Sequence, residues 1–137
     1  MKRILCSLYL LFAISAVVYS QNNKTEKIIL DKVATLPEVR SFLKTAKASK
    51  PMLMIAGEPN IDSKYYWVKV GISNMDIFRT SYNFYLAPKN YQVYFMDTMV
   101  DSGNNILTLK QWRHWRTTQG FNQMHIYKNG KLVVLNN

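Results

Sequence analysis

The residues best suited to chemistry lie near the C-terminal end, in the segment Lys-Gln-Trp-Arg-His-Trp-Arg at 110–116. Indole rings and cations at this density could stack on sugars, hold an anionic head group or form the centre of a protein interface. Helical spacing offers a second interpretation, in which Trp112 and Leu109 are core residues and Arg116 stacks on an indole. The candidate binding residues of this segment are Lys110, Arg113, Trp115 and Arg116.

A second set of aromatic side chains lies between residues 65 and 96. Apolar residues alternate along 65–72 and along 78–86, which is typical of strands with two distinct faces. One face must form core, and the other closes a pocket, meets the C-terminal hairpin or forms an exposed aromatic binding surface. Trp67 and Tyr65 fall on that second face, and we add both to the candidate binding residues.

The sequence contains no recognisable catalytic motif. A hydrolase needs a nucleophile, a base and an orienting acid, but no Gly-x-Ser-x-Gly elbow is present. The two histidines, His114 and His125, are eleven residues apart and do not have metal-ligand spacing. We therefore predict no metal site and no cofactor. If the protein is an enzyme, Asp97 and His125 are the best candidates for its acid–base pair.

The first twenty residues have the layout of a secretory signal peptide. Two basic residues precede an apolar run at 4–18, and cleavage is expected between Ser20 and Gln21. The run is about 15 residues long, shorter than the roughly 20 that a membrane-spanning helix needs. The only cysteine, Cys6, would leave with this peptide, so the mature chain would have no disulfide. These features predict a bacterial protein that is exported to the periplasm or secreted, with no transmembrane segment in its mature chain.

The charge balance is strongly basic, with a formal net charge of +10. Without the two basic residues of the signal peptide, 16 basic residues face 8 acidic ones, which is a formal charge of +8. Such an excess fits an acidic protein, an anionic glycan or a lipid head group as partner, or a surface that is only solvated. Nucleic acid is not expected as a partner outside the cytoplasm, and the oligomeric state stays open.

The pattern along the chain predicts a single α+β domain at 27–137, preceded by a disordered tail at 21–26. Thr35 and Glu38 have the spacing of a capping box, which predicts a helix from Thr35 to about residue 47. This N-terminal helix is expected to pack on a curved antiparallel sheet, a meander of strands. A second short helix is predicted near 107–117. Asn129-Gly130 predicts a C-terminal β-hairpin that places Tyr127 opposite Leu132 and Ile126 opposite Val133.

This order of elements resembles the cystatin-like and NTF2-like α+β rolls, and the chain resembles small exported bacterial proteins of unassigned function. The resemblance lies in Leu-Pro-Glu-Val at 36–39, Tyr-Tyr-Trp-Val-Lys-Val-Gly at 65–71, the hairpin at 82–96 and Leu-Lys-Gln-Trp-Arg at 109–113. The Gln-x-Val-x-Gly loop of the cystatins is missing, so protease inhibition is not implied. No residue of this chain can be assigned by this resemblance to the acid–base roles of the NTF2-like enzymes.

Together these observations predict an exported, non-enzymatic binding module that recognises an acidic protein or an anionic envelope component. The alternative is an NTF2-like enzyme or ligand-binding cone for a small molecule, with Asp97 and His125 as its acid–base pair. A short distance between these two side chains is a condition that the alternative must meet.

Overall fold

Two helices, joined by a bend at Leu36, open the part of the chain that the structure describes. The computed structural model describes residues 24–74, 77–101 and 105–135. Helix α1 covers 24–34 and α2 covers Pro37–Thr45, followed by a 3₁₀ turn at Lys47–Ser49. The last three residues of the predicted tail, 24–26, are thus helical, whereas 21–23 and the proposed cleavage site at Ser20 and Gln21 lie outside the described residues.

The predicted capping box at the start of α2 is wrong. Leu36 occupies the N-cap position without a side-chain hydrogen bond, and Pro37 fills the first turn, where a missing N–H costs nothing. The Thr35 hydroxyl instead donates to the carbonyl of Lys32 at 2.9 Å. Glu38 does not cap the helix, because its carboxylate binds Arg113, 75 residues away.

The strands form a five-stranded antiparallel meander and a separate two-stranded hairpin. The described part of the protein is therefore α+β, as predicted. The strands of the meander are β1 (Pro51–Gly57), β2 (Tyr66–Asn74), β3 (Ile77–Leu86), β4 (Val93–Asp97) and β5 (Asn105–Thr108). The hairpin consists of β6 (His125–Lys128) and β7 (Lys131–Val134).

Helix α3 follows β5 without a loop. The sequence predicted a helix near 107–117, but Leu107 and Thr108 belong to β5, and α3 covers Leu109–Trp115. Thr108 ends the strand and caps the helix, because its hydroxyl accepts from the Gln111 N–H while the Gln111 side chain accepts from the Thr108 N–H. This capping box fixes the direction in which α3 leaves the sheet.

The hairpin has the predicted turn and register. Asn129 and Gly130 have φ angles of 50° and 70°, as a type I′ turn requires. Tyr127 pairs with Leu132, and Ile126 pairs with Val133. Val100 forms an isolated parallel bridge with His125, and this bridge connects the hairpin to the chain that leaves β4.

One hydrophobic cluster joins side chains from the helices, the sheet and the region after α3. Trp112 is its largest member, is only 2% exposed and stacks on Phe95 with ring centroids 4.6 Å apart. Phe42 of α2 reaches the cluster through an edge contact with Tyr82, at 5.7 Å between centroids. The fully buried aliphatic members are Ile29, Val33, Val39, Val68, Val70 and Leu86.

Candidate functional site

An open groove lies along α3, between the end of β5 and the turn of the hairpin. Its volume is about 630 Å³, within the range of small-ligand sites. Neither aspartate nor glutamate is among the described residues that line it. The lining residues are Asn105, Ile106, Leu107, Lys110, Gln111, His114, Trp115, Tyr127 and Gly130.

Helical geometry explains which side chains of α3 face the groove. Lys110 and His114 are separated by four residues, so both lie on the same side of the helix. Trp115 is half-buried, with its ring centroid 4.7 Å from that of His114 and 5.7 Å from that of Tyr127. The groove therefore combines an ammonium group, an imidazole and two adjoining aromatic rings.

Tyr127 links the groove to a buried polar cluster formed by Asp97, His125 and Tyr127. The Tyr127 hydroxyl donates to Asp97 Oδ2 at 2.6 Å, and His125 Nε2 lies 2.8 Å from the same oxygen. The Met99 N–H donates to the other carboxylate oxygen at 3.0 Å. Asp97 and His125 are 1% and 0% exposed, so these two side chains are closed to solvent, whereas Tyr127 is only partly buried.

Both ring nitrogens of His125 are engaged. Nδ1 lies 2.7 Å from the carbonyl oxygen of Gln123, which can only accept, so Nδ1 must carry a proton. A further proton lies in the bond between Nε2 and the Asp97 carboxylate. Since every buried side-chain nitrogen and oxygen in the described residues has a partner, the cluster has the character of a satisfied structural network.

The pKa of Tyr127 is raised well above its ordinary value. Burial is the largest cause, because it disfavours the phenolate, and the hydrogen bond to the Asp97 carboxylate adds to the rise. Tyr127 therefore keeps its proton and acts as a donor to Asp97. The ring of this neutral phenol forms part of the groove wall.

The arginines of α3 lie outside the groove. Arg113 forms a two-pronged ion pair with Glu38 of α2, with Nε 2.7 Å from Oε1 and Nη2 3.2 Å from Oε2. The hydrogen bond from Arg113 lowers the pKa of Glu38 and outweighs the opposing effect of burial. Arg116 approaches the same carboxylate at 3.7 Å and lies over the Trp112 ring, 4.7 Å from its centroid.

The other two candidate residues lie on the face of the sheet that is opposite the core. Trp67 is half-buried; its indole N–H donates to Asn83 at 3.0 Å, and Lys69 lies over its ring. Tyr65 stacks on Tyr85, with centroids 5.6 Å apart. The six candidate binding residues thus occupy three places: the groove, the ion pair with Glu38 and the outer face of the sheet.

Sequence reasoning missed several members of the groove. His114 was recognisable, because it is four residues beyond Lys110 on the same helix. Tyr127 was placed correctly opposite Leu132, but nothing in its surroundings in the sequence indicates that its hydroxyl reaches Asp97, 30 residues earlier. The contacts that join α3, β4 and the hairpin are tertiary and have no periodic signal.

The described residues contain neither a cluster of metal ligands nor a helix that could span a membrane. Across 24–74, 77–101 and 105–135, no group of three or more His, Cys, Asp or Glu side chains is placed to hold a metal ion. No helix within these ranges has the length and apolar character needed to cross a bilayer.

Comparison of the chain with models of protein families, with curated proteins and with solved structures finds no match. The resemblance to the cystatin-like and NTF2-like rolls therefore stays a prediction.

Proposed function

We propose that the protein is an exported, non-enzymatic binding module that holds an anionic partner in the groove along α3. The observation that carries this proposal is the lining of the groove, where Lys110 and His114 stand beside Trp115 and no described lining residue is acidic. A carboxylate or phosphate group would pair with the ammonium group. An apolar part of the partner would cover the indole, which is the kind of residue that dominates binding energy at interfaces.

The ion pair with Glu38 changes the roles expected for the arginines. A partner that bound Arg113 directly would have to displace a carboxylate that already makes two hydrogen bonds to it. We propose instead that Glu38, Arg113 and Arg116 hold α3 against α2 and keep the groove in shape. The finer fold that we propose is a roll, in which the helices lie on a curved sheet, and it is supported by the contact of Phe42 with Tyr82.

The binding proposal is tested with two anionic probes, an octaglutamate peptide and vesicles that contain phosphatidylglycerol. Binding to either probe should weaken as salt rises, because exposed charges are screened. Lys110→Gln should weaken binding by up to about fivefold, since an exposed ion pair contributes up to about 1 kcal/mol. Lys89→Gln is the matched control, because it removes the same charge from the turn between β3 and β4.

The peptide and the vesicles separate the two sources of negative charge. Binding of the peptide alone would indicate an acidic protein as partner, and binding of the vesicles alone an envelope lipid. Failure of both probes to bind, or equal weakening by Lys110→Gln and Lys89→Gln, would contradict the assignment of the groove.

The second candidate function, a small-molecule enzyme or ligand-binding cone, is supported by one observation. Asp97 and His125 meet the condition of proximity, at 2.8 Å. Their burial favours a structural role, because a substrate would have to open the cluster before it reached either side chain. Small anions should therefore leave the ¹⁵N resonances of the His125 ring unchanged, and a shift that saturates with ligand would favour the enzyme.

A further inference from the structure

β1 is an edge strand of the meander. One hydrogen bond next to its first residue shows which of its backbone N–H and C=O groups point toward β2 and which point away. The Ser73 N–H donates to the carbonyl of Lys50 at 3.3 Å, so Lys50 faces β2. Antiparallel strands alternate at every residue between facing the neighbour and facing away. Met52 and Met54 therefore bond to β2, whereas the backbone groups of Leu53 and Ile55 point away from the sheet.

Among the described residues, no hydrogen bond reaches the N–H or C=O groups of Leu53 and Ile55 from the open side of β1. Pro51 has the same outward orientation, which fits its lack of an N–H because proline is tolerated where no ladder bond is lost. β1 thus presents two donors and two acceptors in a row along its centre.

The opposite edge of the sheet is already protected. The alternating direction of the backbone N–H and C=O groups, set at Lys50, can be followed through all five strands. It predicts that the backbone groups of Thr108 point away from β4. This agrees with the bond between its N–H and the Gln111 side chain. The capping box and α3 consequently cover the end of β5. β5 has four residues, and among them only Ile106 has a backbone N–H and C=O that point away from the sheet without a partner in the described residues.

The side chains of β1 also lack the usual protection of an edge. None of its seven residues is charged, although edge strands commonly carry lysine to prevent pairing with another chain. Met52 and Met54 are 41% and 37% exposed on the outer face. The register shift between Ile55 and Gly57 interrupts the strand only at its end.

We propose that β1 pairs with β1 of a second copy of this chain, antiparallel and centred on Met54, to give a symmetric dimer. In this register Leu53 lies opposite Ile55 of the partner subunit, and the reverse pair repeats the contact. Leu53 and Ile55 of each copy thus form two hydrogen-bonded pairs with the other copy. Each pair exchanges two backbone bonds, which gives four bonds in total. A two-fold interface of this kind needs only one patch that is complementary to itself.

The choice of a second copy rests on this self-complementary register. Met54 lies on the symmetry axis, where the two methionine side chains adjoin on the outer face and cover each other. The formal charge of +8 on the mature chain opposes the approach of two copies. Because salt screens that repulsion, association should strengthen as ionic strength rises, whereas binding of an anionic probe in the groove should weaken.

The test is the mass of the protein by sedimentation velocity across a range of concentrations. The unmodified chain should show a reversible monomer–dimer equilibrium. Met54→Lys and Met54→Glu should each raise the dimer dissociation constant at least about tenfold, because like charges would face each other across the axis. An equimolar mixture of the two variants should restore a dimer. Ile77→Lys is the matched control, since it adds the same charge at a residue of β3 that is 61% exposed.

Hydrogen exchange of the unmodified protein tests the register independently of any variant. The amides of Met52 and Met54 should be protected at every concentration, whereas those of Leu53 and Ile55 should gain protection only where the dimer forms. A chain that stays monomeric at millimolar concentration, or a dimer that tolerates both charges at Met54, would overturn the proposal. So would protection that changes equally at all four amides. None of these results depends on whether the groove binds its probes.

Discussion

Replacement of Asp97 by alanine tests whether the buried cluster holds the hairpin on the rest of the fold. The carboxylate accepts hydrogen bonds from Tyr127, His125 and the Met99 N–H. Alanine would leave these three donors without an acceptor. The side chains of Asp97 and His125 are almost fully buried at this place. Each unsatisfied buried donor costs about 1–3 kcal/mol.

We therefore expect Asp97→Ala to lower the free energy of unfolding by at least about 3 kcal/mol, the lower limit for three unsatisfied buried donors. This is a large share of the stability of a domain of this size. Tyr127→Phe is the matched smaller change, because it removes one donor and leaves the other two bonds to the carboxylate in place. It should cost about 1.5–3 kcal/mol, the contribution of a hydrogen bond to a charged group.

Urea unfolding followed by tryptophan fluorescence measures both values. A double-mutant cycle that combines Asp97→Ala with His125→Gln should give strongly non-additive losses, because the two side chains share a bond. If Asp97→Ala costs less than about 1 kcal/mol, or no more than Tyr127→Phe, the cluster does not hold the hairpin on the rest of the fold.

Three further predictions follow from the packing, the ion pair and the N-terminal sequence. Trp112→Ala should cost about 3–5 kcal/mol, whereas Trp115→Ala, at a half-buried ring, should cost less; equal losses in thermal unfolding would place both indoles in the core. Because Arg113 lowers the pKa of Glu38, the ion pair stabilises the fold above pH 4.5 and its contribution is lost as the pH falls through the lowered pKa. The stability difference between the unmodified protein and Glu38→Gln should therefore shrink in acid, and a difference that is constant from neutral to acidic pH would contradict this assignment. Mass spectrometry of the exported protein should show cleavage after Ser20, and retention of the first twenty residues would contradict the predicted signal peptide.

Local patterns in the sequence predicted the elements that local physics decides. Asn129-Gly130 determined the turn and register of the hairpin, because few other residue pairs adopt two positive φ angles in succession. The helical spacing correctly marked Trp112 as the more buried indole of α3. The alternation of residues also predicted a meander, although the four-residue strand β5 was too short to be distinguished from the start of the following helix.

The features that could not be predicted from the sequence depend on contacts between residues that are far apart in the chain. Thr35 and Glu38 fit the capping box as a local pattern, but an arginine 75 residues away competes for the carboxylate. The candidate residues of 110–116 looked like one patch because they are neighbours in the sequence. Residues three apart are neighbours on a helix surface, yet Lys110 lines the groove while Arg113 pairs with Glu38 of α2. The tertiary ion pair separates them.

The polar cluster also determines the order in which the fold can be completed. During synthesis the chain emerges N-terminus first, so Asp97 appears 28 residues before His125 and 30 residues before Tyr127. The first four strands of the meander are then present while the carboxylate still lacks its side-chain partners and remains hydrated. The hairpin is the last element of the chain, so the side-chain partners of the carboxylate become available last and this end of the fold closes last.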